Sequence, residues 1–341
     1  MITIGIIITT AVAGFFLFGD SLRAWFGQFE WNKFTQAFAQ FDPWWLAAAN
    51  GLIVLTYIGR AVRWAAMIRP FCPRPSYWGL IRAQITGFSA VALLGRAGEL
   101  VRPYLIATQH GLSFSSQIAV WFLERIFDLL AVLILFGYAL FYLDPATASE
   151  VGPRLAWVLH AGGAIAAGIA LLACSIIFAF RFFTEKTRTQ LNYALRILPV
   201  TMHGRIAGMV DAFLDGISSM KTTRQILLVF FLSFVEWIVI VGVFYCLFRG
   251  FPPTAQMTWT DAMVAVGFIA FGGIVQIPGV GGGMQVVTVL ILTELYGLEV
   301  ESATVMAIVA WITTFLVVVP AGLVFAVREG LNLGKIRALH Q

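Results

Sequence analysis

The chain has 341 residues, of which 60% are hydrophobic and only 11% are charged. An ordinary soluble domain has roughly a quarter charged residues, so this chain has too little polar surface to cover a water-soluble fold. The composition excludes a soluble enzyme, a nucleic-acid-binding module and a disordered scaffold, and it predicts an all-α polytopic membrane protein. The formal net charge of +5 is typical of loops that face anionic cytoplasmic lipid.

Eight apolar regions follow one another along the chain. A helix needs about 20 apolar residues to cross the bilayer core, and six of the regions reach that length. These six predicted transmembrane helices cover residues 2–19, 44–68, 113–143, 154–180, 225–248 and 302–327. The second is apolar only to about Ile58, so the sequence places Arg60 and Arg63 at its interfacial end.

The other two apolar regions, residues 79–110 and 262–293, are each interrupted in the middle. Residues 95–99 break the first with glycines and charges, and residues 278–283 break the second with proline and glycines. Each half is too short to cross the bilayer comfortably. Paired short segments around such a break predict re-entrant helical hairpins, which enter the membrane and return on the same side.

The basic residues predict the orientation in the membrane. With an internal N-terminus, 15 basic residues fall on the internal side and only four on the external side. The positive-inside rule then places both termini in the cytoplasm. Residues 184–224 show near-helical apolar spacing among basic residues, which indicates amphipathic helices on the inner surface or, equally, a cytoplasmic linker.

The two halves of the chain align at a constant offset of 186 residues. Gly111 then falls on Gly297, and the first hairpin break falls on the second. The repeats cover about 44–143 and 225–328, and three full spans separate the two hairpins. Because an odd number of spans inverts the second copy, the sequence predicts an inverted repeat, an architecture of secondary transporters.

Ionisable residues at membrane depth are the candidate site, since each costs roughly 2.5–3.5 kcal/mol at the bilayer centre. On the first hairpin and the third span these residues are Arg96, Glu99, Arg102, Glu124, Arg125 and Asp128. Their formal charges sum to zero. They either pin the hairpin to the span as a structural lattice, or they line a hydrated cavity that binds a substrate. Glu236 is interpreted as a structural polar residue that faces the bundle.

The second break is the candidate outer gate. Its predicted residues are Pro278, Gly279, Gly281, Gly282, Gly283 and Gln285. No Lys-Ser/Thr pair follows the glycines, so this turn is not a nucleotide-binding P-loop. The 186-residue offset places uncharged residues opposite all six charged positions of the first repeat. We therefore predict a charged vestibule on the cytoplasmic side and a smaller, neutral one outside.

The sequence shows no arrangement typical of catalysis or metal binding. The three cysteines and four histidines are scattered without ligand spacing, and no Ser-His-Asp grouping is apparent. We expect no cofactor, no metal and no enzymatic activity.

Two short motifs are more specific. Gly-Arg-Ala-Gly-Glu-Leu-Val-Arg covers Gly95 to Arg102, and Glu-Arg-Ile-Phe-Asp covers Glu124 to Asp128. Together they resemble the lysylphosphatidylglycerol synthase transmembrane-region family, also called flippase-like domain proteins. A later Pro-Gly-Gly-x-Gly-x-x-Glu turn of that family is matched from Pro278 onwards, with Gln285 in place of the Glu.

The resemblance implies an integral inner-membrane protein with paired re-entrant hairpins. The best-understood members of the family join such a domain to a soluble aminoacyltransferase and move the modified phospholipid between leaflets. No such transferase follows the membrane region here, so lipid aminoacylation is not expected.

The sequence thus favours a translocase for a lipid or lipid-linked headgroup, anionic or glycosylated, with membrane lipids as partners and no nucleic acid. A secondary transporter of a soluble anion and a non-transporting partner of a lipid-modifying enzyme are the alternatives.

Overall fold

A computed structural model describes residues 30–141, 168–171, 175, 211, 222–273, 275–279 and 281–329. The spans predicted over 2–19 and 154–180, and the amphipathic segment 184–224, lie wholly or largely outside the described residues. The described helices are α1 (Trp31–Phe38), α2 (Pro43–Ile68), α3 (Tyr77–Leu94), α4 (Val101–His110), α5 (Phe114–Phe141), α6 (Thr223–Arg249), α7 (Trp259–Gly272), α8 (Gly283–Glu294), α9 (Val300–Trp311) and α10 (Val319–Arg328).

Short irregular elements join some of these helices. A 3₁₀ helix, Gly95–Leu100, lies between α3 and α4, and a second, Pro252–Thr254, follows α6. The turn between α7 and α8 contains two short antiparallel strands, β1 (Gln276–Ile277) and β2 (Gly281–Gly282). A π-helical segment, Ile312–Leu316, connects α9 to α10.

Three of the described helical segments are long and apolar enough to cross a membrane: α2, α6 and the continuous Val300–Arg328 segment of α9 and α10. Helix α5 has 28 residues, but its middle carries Glu124, Arg125 and Asp128. The protein is therefore a helical membrane protein. Helix α5, which carries these three charges, holds three of the candidate site residues.

Helix α2 corrects one prediction. It does not become interfacial after Ile58 but continues to Ile68, with Asp42 capping its first turn by accepting a hydrogen bond from Trp44 N at 2.8 Å. Because the helix continues, Arg63 lies inside the bundle with 1% of its surface exposed. The apolar residues after Arg63, including Trp64 and Met67, are also buried and supply the packing that extends the helix.

Helices α3 and α4 form one hairpin, and α7 and α8 form a second. The base of the first is closed by Ser76 N, which donates to His110 Nε2 at 3.2 Å. The base of the second is closed by the Tyr296 hydroxyl, which donates to Asp261 Oδ1 at 3.2 Å. Each predicted break is thus a real interruption between two short helices.

The hairpins enter from opposite ends of the bundle. Helices α2 and α6 are antiparallel neighbours, since Asp42 N before α2 donates to Gly250 O after α6 at 2.8 Å. The first hairpin follows the C-terminal end of α2, and the second follows the C-terminal end of α6. Because α2 and α6 are antiparallel, these two C-terminal ends lie at opposite ends of the bundle, as an inverted repeat requires.

The tips of the two hairpins touch. Gly279 N donates a hydrogen bond to Ala92 O, 3.0 Å away, at the end of α3. Gly95 has φ +64°, which favours glycine, and the Pro278 ring lies against it. The two hairpins therefore meet tip to tip inside the bundle.

Two buried apolar clusters make up most of the described core. One packs the first half of α2 against the second half of α6 and against α7, α8 and α9. The other packs the second half of α2 against α3, α4 and the first half of α5. Glu236 is the central residue of α6, and Glu124 and Asp128 flank the centre of α5. The charged residues therefore lie between the two apolar clusters, at mid-height of the bundle.

Candidate functional site

Arg63 is the centre of the charged network. Its Nη2 lies 2.5 Å from Glu124 Oε1, and its Nη1 lies 2.5 Å from Asp128 Oδ1. The same Nη1 lies 3.0 Å from Glu236 Oε2 and donates to Ser233 Oγ at 2.8 Å. A single guanidinium thus connects α2 to both α5 and α6 through three carboxylates.

Arg102 joins the first hairpin to the same network. Its Nη2 lies 2.5 Å from Glu124 Oε2, and its Nη1 donates to Gln84 Oε1 at 2.9 Å. Arg125 Nη2 approaches the same Glu124 oxygen at 3.2 Å and Asp128 Oδ2 at 3.0 Å. Glu124 is completely buried and serves three arginines, so it is the negative centre of the group.

Arg60 completes the network on the α6 side. Its Nε lies 2.8 Å from Glu236 Oε1. Its guanidinium carbon lies 4.2 Å from the centre of the Phe88 ring, and that of Arg102 lies 5.4 Å from the same ring. Cation–π contacts of this kind hold a guanidinium in place without supplying a counter-charge.

Arg96 and Glu99 form a separate pair at the tip of the first hairpin. They are joined by an ion pair, and Arg96 also donates to the carbonyl of Gly273 in the second hairpin. Glu99 is therefore paired with Arg96, three residues before it, and Arg102 is paired with Glu124. Glu99 and Arg102 are three residues apart on the hairpin, but they have different partners.

The network changes the charge count of the site. The six residues identified from the sequence sum to zero, but Arg60, Arg63 and Glu236 belong to the same group of contacts. With these three included, the described residues of the site hold five arginines and four carboxylates. The list is Arg60, Arg63, Arg96, Arg102, Arg125, Glu99, Glu124, Asp128 and Glu236.

A cavity of about 460 Å³ lies beside the network. Its charged wall consists of Arg60, Arg96, Glu99, Arg102, Arg125 and Asp128. Glu124 lies behind this wall and does not line the cavity. The apolar wall includes Ile53, Leu129, Val132, Phe244, Val266, Ile269 and Phe271. The cavity is thus lined by both charged and apolar side chains, as a site for an amphiphile would be.

Both hairpins border this cavity. Arg96, Glu99 and Arg102 reach it from the first, and Gln276 and Met284 reach it from the second. The charged and the neutral hairpin therefore face one shared space in the described part of the chain. The division into an inner and an outer vestibule stays a prediction.

The predicted gate residues form the tip of the second hairpin. Pro278 and Gly279 contact the first hairpin, whereas Gly281 and Gly282 pair with β1. Gly283 begins α8 and lies so close to Gly272 that a Cβ there would overlap the Gly272 carbonyl oxygen. Gln285 Oε1 accepts a hydrogen bond from Gly282 N at 2.7 Å, so it stabilises the turn.

The glycines of the first break allow close packing of the backbone. Gly95 and Gly98 are both buried. A Cβ at Gly98 would overlap the backbone of Ala90 and Val91 in α3. A Cβ at Gly87 would lie 2.6 Å from Arg102 Cβ, so a glycine there lets α4 approach α3.

The sequence did not identify Arg60 and Arg63 as site residues. One signal could have found them. Glu236 lies in the middle of an apolar helix and had no partner among the residues chosen, so a buried cation had to come from another helix. Arg60 and Arg63 lie inside the predicted span 44–68 and were unassigned, so they were candidates for that cation.

These features define a helical membrane protein in which two helical hairpins meet beside a central cavity with charged and apolar walls. The family model for the lysylphosphatidylglycerol synthase TM region matches residues 2–322, and the chain belongs to that family, a membrane domain related to lipid handling. No curated protein matches the chain significantly.

Proposed function

We propose that the protein moves a lipid between the two leaflets of the inner membrane by passing its polar headgroup through the cavity. The observation that carries this proposal is the cavity itself, which both hairpins border at mid-height of the bundle. Charged side chains at this depth are costly unless they are paired or face water. A protein that passes a polar headgroup across the membrane needs charged side chains at this depth despite their cost.

The apolar wall favours a lipid over a soluble ion. A soluble anion needs polar partners on all sides, whereas a lipid brings a hydrocarbon part that apolar side chains receive. Phe244, Val266 and Ile269 face the same space as Arg102 and Arg125. One molecule with a charged end and an apolar end would pair with the arginines and also contact the apolar side chains.

The contact between the hairpin tips supports a gating role for the second turn. The backbone hydrogen bond from Gly279 N to Ala92 O and the packing of Pro278 on Gly95 join the tips. The hydrogen bond from Arg96 to the Gly273 carbonyl is a third contact between the two hairpins. Opening requires these contacts to break. We propose that separating the tips connects the cavity to the other leaflet.

Reconstitution in proteoliposomes tests the function. Fluorescent phospholipid, placed in both leaflets, is bleached from outside by dithionite, and the uptake of a soluble anion is measured in the same vesicles. If the protein is a translocase, dithionite bleaches more than half of the label, whereas in protein-free vesicles it bleaches half. Anion uptake without lipid movement would favour the soluble-anion transporter. No activity in either assay, with a lipid-modifying enzyme co-purifying, would favour the partner role.

The orientation gives a separate prediction. The segment Val300–Arg328 has 29 residues and spans about 40 Å at 1.5 Å per residue, so Glu299 and Arg328 lie at opposite ends of the bundle. Exposed arginines such as Arg74 lie at the Arg328 end, which we therefore place in the cytoplasm. In a cysteine-free background, Glu299→Cys should react with an impermeant maleimide on intact cells.

Arg74→Cys should react only after permeabilisation. Replacing the three native cysteines removes background labelling, because Cys72 is only half-buried. Labelling of Arg74→Cys on intact cells would reverse the proposed orientation.

A further inference from the structure

We infer that the headgroup held in the cavity carries net negative charge, with its oxyanion between the guanidiniums of Arg60, Arg102 and Arg125. This inference deepens the proposed function and rests on it only for the statement that the anion belongs to a lipid. It follows from the balance of charge around Arg63, where four arginines share three carboxylates.

The balance is short of one negative charge. Arg60, Arg63, Arg102 and Arg125 make ion pairs only with Glu124, Asp128 and Glu236 among the described residues. Arg96 and Glu99 neutralise each other separately. Among the described residues these four arginines and three carboxylates therefore carry a net charge of +1, which an added anion would neutralise.

The excess charge faces the cavity rather than the packed core. Glu124 and Glu236 are turned away from the cavity, whereas Arg60, Arg102 and Arg125 line it. The cavity wall therefore has four guanidiniums, including Arg96, and two carboxylates, Glu99 and Asp128. A wall with this surplus of positive charge attracts anions and repels cations.

The three arginines line the same cavity and are linked in pairs by shared contacts. Arg102 and Arg125 share Oε2 of Glu124, at 2.5 and 3.2 Å. Arg60 and Arg102 share the Phe88 ring. Guanidinium groups bind phosphate oxygens with paired hydrogen bonds, which a single ammonium group cannot do.

Arg125 has donors that its carboxylate partners do not use. Its ion pairs with Glu124 and Asp128 are both made by Nη2. Since 36% of the Arg125 side chain is exposed, water can replace the anion when it leaves. The site is therefore suited to exchange its anion, as transport requires.

The chemistry shared by the possible ligands is a phosphate or carboxylate oxyanion. A neutral zwitterionic headgroup supplies the oxyanion but also a cation that the wall does not favour. An aminoacylated headgroup with net positive charge is disfavoured further. A phosphodiester lipid of net charge −1, such as phosphatidylglycerol, supplies the missing charge.

The test measures binding without transport. The purified full chain in dodecyl maltoside at low salt is mixed with dioleoylphosphatidylglycerol or with dioleoylphosphatidylcholine, and the midpoint of thermal unfolding is recorded. Phosphatidylglycerol should raise the midpoint by several degrees, and phosphatidylcholine should not. Inorganic phosphate and glycerol 3-phosphate are tested at the same concentrations. A full response to these soluble anions would identify a soluble rather than a lipid source for the same oxyanion.

The variant Arg125→Gln tests whether the response to phosphatidylglycerol depends on the proposed anion site. This variant balances three arginines with three carboxylates, and Asp128 and Glu124 keep Arg63 as a partner. It should lose the response to phosphatidylglycerol while its midpoint without lipid stays at or above that of the wild type. Arg125→Lys keeps the charge and should keep a weaker response. Arg69→Gln removes an exposed arginine and is the control for net charge.

An equal response to both lipids, or a full response in Arg125→Gln, would overturn the inference. These results would leave the proposed function standing if lipid still moves between leaflets. Conversely, a selective response to phosphatidylglycerol without any lipid movement would retain the anion site and overturn the translocase.

Discussion

Replacing Arg63 with glutamine should destabilise the protein more than any other single substitution in the charged network. The guanidinium is the only described group that contacts all three buried carboxylates, Glu124, Asp128 and Glu236. Removing one partner of a buried ion pair typically costs 3–5 kcal/mol, because the remaining charge stays buried without compensation. Glutamine is close in length and keeps an amide donor, so most of the loss would be electrostatic.

The measurement is thermal unfolding in detergent, with the yield of folded protein after membrane extraction as a second readout. Arg69→Gln is the matched control, because Arg69 is exposed directly after the same helix and only donates to the Tyr77 hydroxyl at 3.0 Å. An Arg63→Gln midpoint equal to that of the control would show that the network does not hold α2 to α5 and α6.

The hairpins could be predicted from the sequence because their signal is local. Glycines and charges at 95–99, and proline and glycines at 278–283, interrupt apolar stretches that are otherwise helical. The structure ends α3 at Leu94 and begins α8 at Gly283, close to the predicted breaks. The contact between the tips could not be predicted, because it joins backbone groups at Ala92 and Gly279 that any sequence supplies.

The network around Arg63 could not be read from spacing, because its partners lie on other helices. An arginine near the end of an apolar stretch ordinarily extends its charged end to the interface. Arg63 instead points inward, where α5 and α6 supply carboxylates. Pairing between helices depends on how they pack, and helical spacing gives information only about residues on one helix.

The structural and the functional interpretations of the charges divide between different residues. Arg63 and Glu124 are fully buried and lie outside the cavity lining, as a lattice requires. Arg60, Arg102 and Arg125 pair with the same carboxylates but also face the cavity. A buried lattice therefore holds the arginines that face the cavity in position, so that under the proposed function they need not rearrange to meet a headgroup.

Substituting Gly98 with alanine should have the second-largest effect, and it should reduce transport more than stability. A Cβ at this position would overlap the carbonyl group of Ala90 and the amide of Val91, which are backbone atoms that no change of rotamer can move. The 3₁₀ segment would have to shift away from α3. Overpacking of this kind typically costs about 1–3 kcal/mol.

The shift matters for function because the same segment carries the charged tip. Arg96 and Glu99 lie on it, and Arg102 follows in the first turn of α4. Moving the segment would disturb the contact with the second hairpin at Gly273 and displace Arg102 from its partners. Lipid movement by Gly98→Ala should therefore fall well below that of the wild type when equal amounts of folded protein are reconstituted.

Gly137→Ala is the matched control for this experiment. Gly137 also lies in a helix, but a Cβ there would meet no heavy atom within 4 Å. Alanine is favoured over glycine inside a helix by up to about 1 kcal/mol, so this variant should be as stable as the wild type or slightly more stable. Its lipid movement should be unchanged. If Gly98→Ala were as stable and as active as Gly137→Ala, the close approach of the tip to α3 would not be needed, and the first hairpin would not position the arginines of the cavity.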